Sequence, residues 1–122
     1  MTINEAINSV DTLKHNTFER SQKINWLSNL ENMIKREILD THEGDVPAFD
    51  GYVSDQPGET VLLAPAPYDA MYLRWLEAQI DYHNGEYGKF NNAMALFDVS
   101  YQSYADFYNR NHMPKSKGGF VL

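Results

Sequence analysis

The residues best placed to do chemistry in this chain form the run Thr41-His42-Glu43-Gly44-Asp45. This run could supply two ligands to a metal ion, but a metal site needs three or four ligands on a rigid frame. Only Asp81 and His83, far along the chain, could complete the set. The run also lacks the alternating acidic ligands and the closing glutamate of a calcium-binding loop. The sequence therefore favours a solvated acidic loop, and we expect no bound metal.

A second group, Glu77, Asp81 and His83, lies within two turns of one predicted helix. Glu77 and Asp81 are four residues apart and share a helix face, so a general acid–base pair is conceivable. Helical carboxylates at this spacing are far more often a solvated stripe. Three serines lack the context of a nucleophile elbow or a triad: Ser28, Ser100 and Ser103. We therefore predict that the protein is not an enzyme and has no catalytic residues and no cofactor.

Composition narrows the class of protein further. The chain has 122 residues, of which 43% are hydrophobic, and this is enough for one packed domain and excludes disorder of the whole chain. It contains no cysteine, which excludes disulfides, thiolate zinc sites and cysteine nucleophiles. A net charge of -7 argues against binding nucleic acid by charge neutralisation. Neither a signal peptide nor a run of the ~20 apolar residues that span a membrane is present, so we expect a cytosolic protein.

Hydrophobic periodicity predicts two helices in the first third of the chain. The first runs from about Ile3 to Leu13 and begins with Thr2 and Glu5 in the arrangement of a capping box. The second runs from about Thr17 to Leu39. Its apolar stripe consists of Ile24, Leu27, Leu30 or Glu31, Ile34 and Ile38.

The third and fourth helices are predicted to pack as an antiparallel hairpin. The third begins at Pro67 and ends at Asn84-Gly85, and the fourth runs from about Glu86 to Asn111. A two-residue break between amphipathic helices implies antiparallel neighbours. The fourth helix has a heptad seam whose tyrosines could belong to the core or to a protein interface. The seam consists of Tyr87, Phe90, Met94, Phe97, Tyr101, Tyr104 and Tyr108.

Residues 40–66 interrupt the helical pattern with closely spaced glycines and prolines. Two β-type runs, residues 48–53 and 60–63, flank a turn-rich string. The predicted fold class is mainly α, a small bundle of about four helices with a long loop or β-hairpin arm between helices 2 and 3. Residues 1–111 would form a single helical domain with an extended arm at 40–66, and residues 112–122 a flexible C-terminal tail.

Charge is concentrated in the same part of the chain. Between Arg36 and Arg74 there is no lysine or arginine. Six carboxylates of this stretch are assigned to an acidic loop, namely Asp40, Glu43, Asp45, Asp50, Asp55 and Glu59. The tail, by contrast, is basic and ends in an apolar tip. The candidate protein-interface residues of the arm and the tail are Phe49, Tyr52, Val61, Leu62, Lys115, Lys117, Phe120, Val121 and Leu122.

Six stretches form a recognisable pattern that extends over nearly the whole chain. They are Lys23-Ile24-Asn25-Trp26-Leu27 to Ile38, Asp40-Thr41-His42-Glu43-Gly44, Ala64-Pro65-Ala66-Pro67-Tyr68-Asp69, Trp75-Leu76-Glu77-Ala78-Gln79-Ile80-Asp81, Asn84-Gly85-Glu86-Tyr87-Gly88-Lys89-Phe90-Asn91-Asn92 and Tyr108-Asn109-Arg110-Asn111-His112-Met113-Pro114. This pattern resembles the head–tail connector, or adaptor, family of tailed bacteriophages and prophages of Gram-positive hosts. That family has no short diagnostic motif, so its functional residues are not carried over one by one.

The resemblance implies a structural subunit of the virion. Connectors of this kind are helical bundles with a long loop or hairpin arm, and they assemble beneath the portal as a ring, commonly of twelve subunits. The ring extends the channel through which double-stranded DNA passes without specific binding, and it bridges the portal to the next neck protein. The implied location is the head–tail junction of the virion, after synthesis in the bacterial cytoplasm, with no cofactor and no membrane contact.

The residues are compatible with this role, since a ring needs a heterologous, head-to-tail interface. We expect the acidic loop to face the DNA channel or a neighbouring subunit, and Lys115 to Leu122 to reach onto a portal or an adjacent protomer. One alternative is a small acidic phage-encoded regulator that binds proteins or mimics DNA. Another is a small helical enzyme, which would need an enclosed pocket with converging polar groups.

Overall fold

The computed structural model describes residues 1–115. The tail residues predicted to dock on a partner, Lys117, Phe120, Val121 and Leu122, lie outside the described residues. The helices are α1 (Ile3–Leu13), α2 (Arg20–Ile34), α3 (Ala70–His83) and α4 (Tyr87–Asn111). The mainly α fold class and the bundle of four helices are thereby confirmed.

Helix α1 has the bounds and the cap that the sequence predicts. The Thr2 hydroxyl accepts from the Glu5 N–H at 3.2 Å, and the Glu5 carboxylate accepts from the Thr2 N–H at 3.0 Å. Hydrogen bonding of the Glu5 carboxylate to the Thr2 backbone N–H, and to the Thr2 side chain, lowers the pKa of the Glu5 carboxyl. The opposite face of the helix enters the core through Ile3, Ala6, Ile7 and Val10. Local capping therefore fixes where the chain begins its first helix.

Helix α2 begins three residues later than predicted, at Arg20 instead of Thr17. The Asn16 side chain explains the difference, because it accepts from the Phe18 N–H at 3.2 Å and donates to the Lys14 carbonyl at 2.9 Å. Such local side-chain bonds compete with the helix for the same backbone groups. At its other end α2 continues into a π-helical turn, Lys35–Leu39, so the helical path does extend to Leu39 as predicted.

Helices α3 and α4 are antiparallel, as the short break between them predicts. Ring pairs Tyr82–Phe90, Trp75–Phe97 and Tyr68–Tyr104 follow one another along the hairpin at centroid distances of 5.4, 5.1 and 5.7 Å. From one pair to the next, the residue number falls in the first member and rises in the second, so the two chain segments run in opposite directions. Gly85 closes α3 with a φ of 74°, a conformation that favours glycine.

The heptad seam of α4 is mostly core. Phe97, Tyr104 and Tyr108 are buried, and burial raises the pKa of Tyr104 to about 12. Tyr87 is the exception, since 59% of it is exposed near the turn between α3 and α4. Along residues 1–115 no helix combines the length and the apolar character needed to cross a membrane.

The β-hairpin alternative for the arm is wrong. The described residues between α2 and α3 contain turns and isolated bridges but no strand, and residues 60–63 do not pair with residues 48–53. Instead Val61 pairs with Thr2, and the Leu62 N–H donates to the Met1 carbonyl at 2.9 Å. A two-stranded hairpin alone is marginal in water, whereas the start of α1 offers partners beside the core.

Candidate interaction surface

The six carboxylates assigned to the acidic loop are all exposed, and residues 40–59 are called the acidic segment below. Within the part of the chain that the structure describes, Asp40 is the member with an ion pair, to the Lys35 ammonium at 3.0 Å. The other five have no cation within ion-pair distance among these residues, since the neighbouring sequence supplies none. As far as residue 115, the segment therefore presents five carboxylates without an ion pair to the solvent.

A buried glutamate, Glu31 on α2, holds the chain between Tyr52 and Ala64 onto the helices. Its carboxylate accepts from the Tyr52 hydroxyl at 2.7 Å, from the Leu63 N–H at 2.8 Å and from the Tyr72 hydroxyl on α3. The Tyr72 oxygen in turn accepts from the Ala64 N–H at 2.9 Å. We call these groups the Glu31 cluster. It ties two helices and the connecting segment together through one fully buried side chain.

All three titrating groups of the Glu31 cluster have pKa values above their ordinary ones. Burial raises the pKa of the Glu31 carboxyl, against the lowering effect of its three hydrogen bonds. Burial and the neighbouring Glu31 charge also raise the pKa values of Tyr52 and Tyr72, so both hydroxyls remain donors. The sequence placed Glu31 in the apolar stripe only as an alternative to Leu30, and both are buried. The one signal available was a carboxylate at a core position of α2.

The structure corrects two of the predicted interface residues. Leu62 is 3% exposed and belongs to the core, because the chain turns it inward between two backbone bonds, from its own N–H to the Met1 carbonyl and from the Leu63 N–H to Glu31. Tyr52 is half-buried, with its hydroxyl on Glu31 and its N–H on the Ser28 hydroxyl at 3.0 Å. The Leu62 side chain is therefore not available to a partner, and the Tyr52 hydroxyl is engaged within the molecule.

Two of the predicted interface residues of the arm do remain at the surface. Val61 is 68% exposed, and Phe49 is partly exposed with its ring packed edge-on against Tyr52 at 4.9 Å. The residues around Gly58 lie on the start of α1. The Asn4 N–H donates to the Gly58 carbonyl at 3.0 Å, and a Cβ at Gly58 would overlap the Asn4 side chain. Residues 58–64 are thus packed on the bundle, not extended away from it.

His42, the best candidate metal ligand, is buried and its ring nitrogens are occupied. Nδ1 lies 2.6 Å from the Ile38 carbonyl, and Nε2 is hydrogen-bonded to the Asn109 side chain. Glu43 and Asp45 point into solvent, so the run around His42 does not converge. Within residues 1–115 no three histidine or carboxylate side chains are grouped to hold a metal ion.

His42 instead joins the acidic segment to the end of α4. The Glu43 N–H donates to the Met113 carbonyl at 2.7 Å, and the Lys115 N–H donates to the Thr41 carbonyl at 2.8 Å. Tyr108 packs edge-on against His42 at 5.0 Å. These contacts, called the His42 clamp, hold residues 113–115 beside the acidic segment, and Lys115 is exposed there.

We expect His42→Ala to open this clamp. The substitution removes a buried ring and its hydrogen bonds to Ile38 and Asn109, which should lower the free energy of unfolding by about 1–3 kcal/mol. Hydrogen exchange should accelerate at the amides of Glu43 and Lys115, while His15→Ala, in the exposed turn before α2, should leave both unchanged. Unchanged protection of the two amides in His42→Ala would contradict this role.

Glu77 and Asp81, the acid–base pair considered on α3, each form an ion pair with a different basic residue. Asp81 is buried and accepts from the Lys14 ammonium at 2.8 Å, whereas Glu77 pairs with Arg74 at 3.1 Å. His83 is exposed, and its Nδ1 lies 2.8 Å from the Gln79 carbonyl. The three groups therefore do not meet around a common point.

Four other exposed apolar residues lie on the helices of the α3–α4 hairpin. Tyr82 and Tyr87 are half-exposed at the turn, and Leu96 and Val99 lie on the side of α4 away from the core. Of these four, the sequence analysis gave only Tyr87 an interface role, as one alternative for the tyrosines of the α4 seam. No family model, no curated protein and no solved structure matches this chain.

Proposed function

We propose that this protein is a structural subunit of the phage virion neck, a head–tail connector that docks on the portal as part of a ring and extends the DNA channel. The proposal begins from the resemblance of nearly the whole chain to connector proteins. The observation that supports it best is the acidic segment, which presents five exposed carboxylates that have no ion pair within residues 1–115. A conduit must not retain its DNA, and a negative wall repels phosphates.

The Glu31 cluster and the His42 clamp give this surface a defined position. The Glu31 cluster holds the segment at Tyr52 against α2 and α3, and the His42 clamp holds it at residues 41–43 against α4 and residues 113–115. The proposed role of the segment, as the face toward the channel, requires such a position because a charged loop that collapsed into the channel would obstruct DNA. Partners under this proposal are the portal, the next neck protein and other copies of the chain.

Negative-stain microscopy of the purified chain mixed with portal rings from the same phage tests the proposal. We expect an added ring of density on the face of the portal opposite the capsid interior. Portal rings without added density would overturn the proposal. Capture of a nucleic-acid-binding host protein, in the absence of portal binding, would favour the acidic regulator instead.

A charge variant tests the channel role separately. Asp50→Lys with Asp55→Lys should still assemble on portal rings but should slow DNA release from particles that carry it, because the wall would attract phosphates. The matched control, Glu19→Lys with Asp106→Lys, makes the same change in net charge just before α2 and on α4. Equal rates of release in the two double variants would exclude a channel-facing acidic segment.

A further inference from the structure

Helix α4 carries a second heptad seam, on the side that faces away from the core. Its inner seam packs on α3 through rings such as Phe97 and Tyr104. On the opposite side, six residues recur at alternating intervals of three and four, and all six are exposed. We call them the outer face of α4: Lys89, Asn92, Leu96, Val99, Ser103 and Asp106. Such spacing is typical of a face that packs against another helix.

The centre of the outer face is apolar and complementary to itself. Leu96 is 51% exposed and Val99 is 67% exposed. When a second α4 lies antiparallel with its Leu96 opposite Val99, two-fold symmetry places its Val99 opposite Leu96. The next position outward on each side then pairs Asn92 with Ser103 of the second copy, an amide with a hydroxyl.

The two ends of the outer face carry opposite charges, and the same alignment brings them together. Lys89 lies opposite Asp106 of the second copy, once at each end of the pair. Asp106 accepts from the Gln102 amide at 2.9 Å, and none of the ion pairs within residues 1–115 involves it. The Lys89 ammonium lies 3.4 Å from the Glu86 carboxylate, in a pair open to solvent. An ammonium has three donors, so Lys89 can bind a second carboxylate as well.

Other alignments of two α4 helices lose this complementarity. A parallel pair places Lys89 on Lys89 and Asp106 on Asp106, and such like-charge contacts are unfavourable. A shift of one heptad in the antiparallel pair places Leu96 opposite Asp106 or Val99 opposite Lys89, depending on its direction. The complementary alignment also overlaps the two helices over residues 87–108, about 33 Å, which is nearly the whole of α4.

We propose that the outer face of α4 binds a second copy of the chain as an antiparallel, two-fold symmetric dimer. A helical side chain leans toward the N-terminus of its helix, so Leu96 of the second copy leans from Val99 toward Ser103. It thereby enters a shallow depression lined by Asp98, Val99, Gln102, Ser103 and Asp106.

The dimer is transient, because one helix from each copy forms a smaller contact than the about 1,200–2,000 Å² of stable complexes. The inference does not rest on the connector proposal. A two-fold contact closes after two copies and is distinct from the head-to-tail contact of a ring. It therefore concerns the free chain before any assembly.

Sedimentation equilibrium of the full chain, from micromolar to millimolar concentration, tests the dimer. We expect a monomer–dimer equilibrium whose association constant falls at least about tenfold in Val99→Lys, because the contact would bury a cation in each copy. Val53→Lys makes the same change at a valine that is 59% exposed elsewhere and should associate like the natural chain. A monomer at every concentration, a ring, or equal constants for the two variants would overturn the proposal.

Disulfide trapping tests the alignment, since the natural chain has no cysteine. A mixture of Asn92→Cys and Ser103→Cys chains should form a mixed disulfide under mild oxidation, because these positions face each other. Asn92→Cys alone should not, since its two copies lie about 16 Å apart along the pair, beyond the reach of a disulfide. Disulfides of Asn92→Cys with itself, or no mixed disulfide, would overturn the antiparallel alignment.

Charge exchange tests the ends of the outer face. Lys89→Asp should lower the association constant about three- to tenfold, the effect of two surface ion pairs. Adding Asp106→Lys should restore it, because the exchanged charges again face each other. Arg20→Asp makes the same change in net charge at the exposed start of α2 and should have no effect. Failure of Asp106→Lys to restore association in Lys89→Asp would contradict the proposed pairing.

Discussion

Replacement of Glu31 by alanine is expected to lower the free energy of unfolding by about 2–4 kcal/mol. The substitution leaves the Tyr52 hydroxyl, the Tyr72 hydroxyl and the Leu63 N–H without their acceptor. Relief of the cost of burying a carboxylate offsets part of the loss. Because small domains are stable by only about 5–15 kcal/mol, the remaining effect should be obvious in chemical denaturation.

The two tyrosines of the cluster provide a graded control. Tyr72→Phe removes a fully buried hydroxyl that links Glu31 to the Ala64 N–H, so two groups lose a partner. Tyr52→Phe removes a hydroxyl at the half-exposed edge, where water can replace it. We expect Tyr72→Phe to cost more than Tyr52→Phe. Equal and small losses in all three variants would show that the cluster does not hold the segment.

The pH dependence of Glu31→Gln tests the charge of the cluster. The folded-state pKa of Glu31 is raised above its ordinary value of 4.5, so the native state binds the proton at higher pH than the unfolded state. The stability that Glu31 contributes is therefore complete below 4.5 and is lost as pH rises through the folded-state pKa. The free energy of unfolding of the natural chain should therefore increase relative to that of Glu31→Gln as pH falls from neutrality toward 4.5. A relative decrease on acidification would indicate a lowered pKa instead.

Leu62→Ala is expected to cost about 2–5 kcal/mol, whereas Val61→Ala next to it should cost less than about 0.5 kcal/mol. Leu62 is 3% exposed and packs in the core, while Val61 is 68% exposed. Truncation of Leu62 leaves a cavity that the surrounding helices fill only in part. Thermal and urea unfolding of the two variants measure the contrast between neighbouring residues.

The same pair of variants separates a core role from an interface role for this stretch. If residues 61 and 62 formed an exposed arm, both substitutions would leave the stability of the free chain unchanged. Similar unfolding midpoints for Leu62→Ala and Val61→Ala would therefore contradict the packing of residues 58–64 on the bundle. Binding defects are informative only in Val61→Ala, since Leu62→Ala alters the fold itself.

The sequence by itself determined the parts of the protein whose causes are local. The Thr2 and Glu5 cap, the apolar period of α2 and the glycine that closes α3 each act within a few residues, so the four helices could be predicted with small errors at their ends. The concentration of carboxylates between Arg36 and Arg74 is a property of the sequence, and their exposure follows from the cost of burying unpaired charge. The late start of α2 shows where prediction from periodicity fails, because the Asn16 side chain binds the Phe18 N–H that a helix starting at Thr17 would include.

Only the tertiary structure decided which residues of the connecting segment are core and which are surface. Tyr52 and Leu62 had the composition of an interface, but Glu31, more than twenty residues earlier, accepts from Tyr52 and from the backbone next to Leu62. In the sequence, His42 likewise has the neighbours of a metal ligand. In the structure its ring nitrogens are hydrogen-bonded to the Ile38 carbonyl and the Asn109 side chain. A buried polar group needs a hydrogen-bond partner, and the fold decides which residue is close enough to be that partner. The spacing of residues in the sequence does not predict contacts between distant parts of the chain.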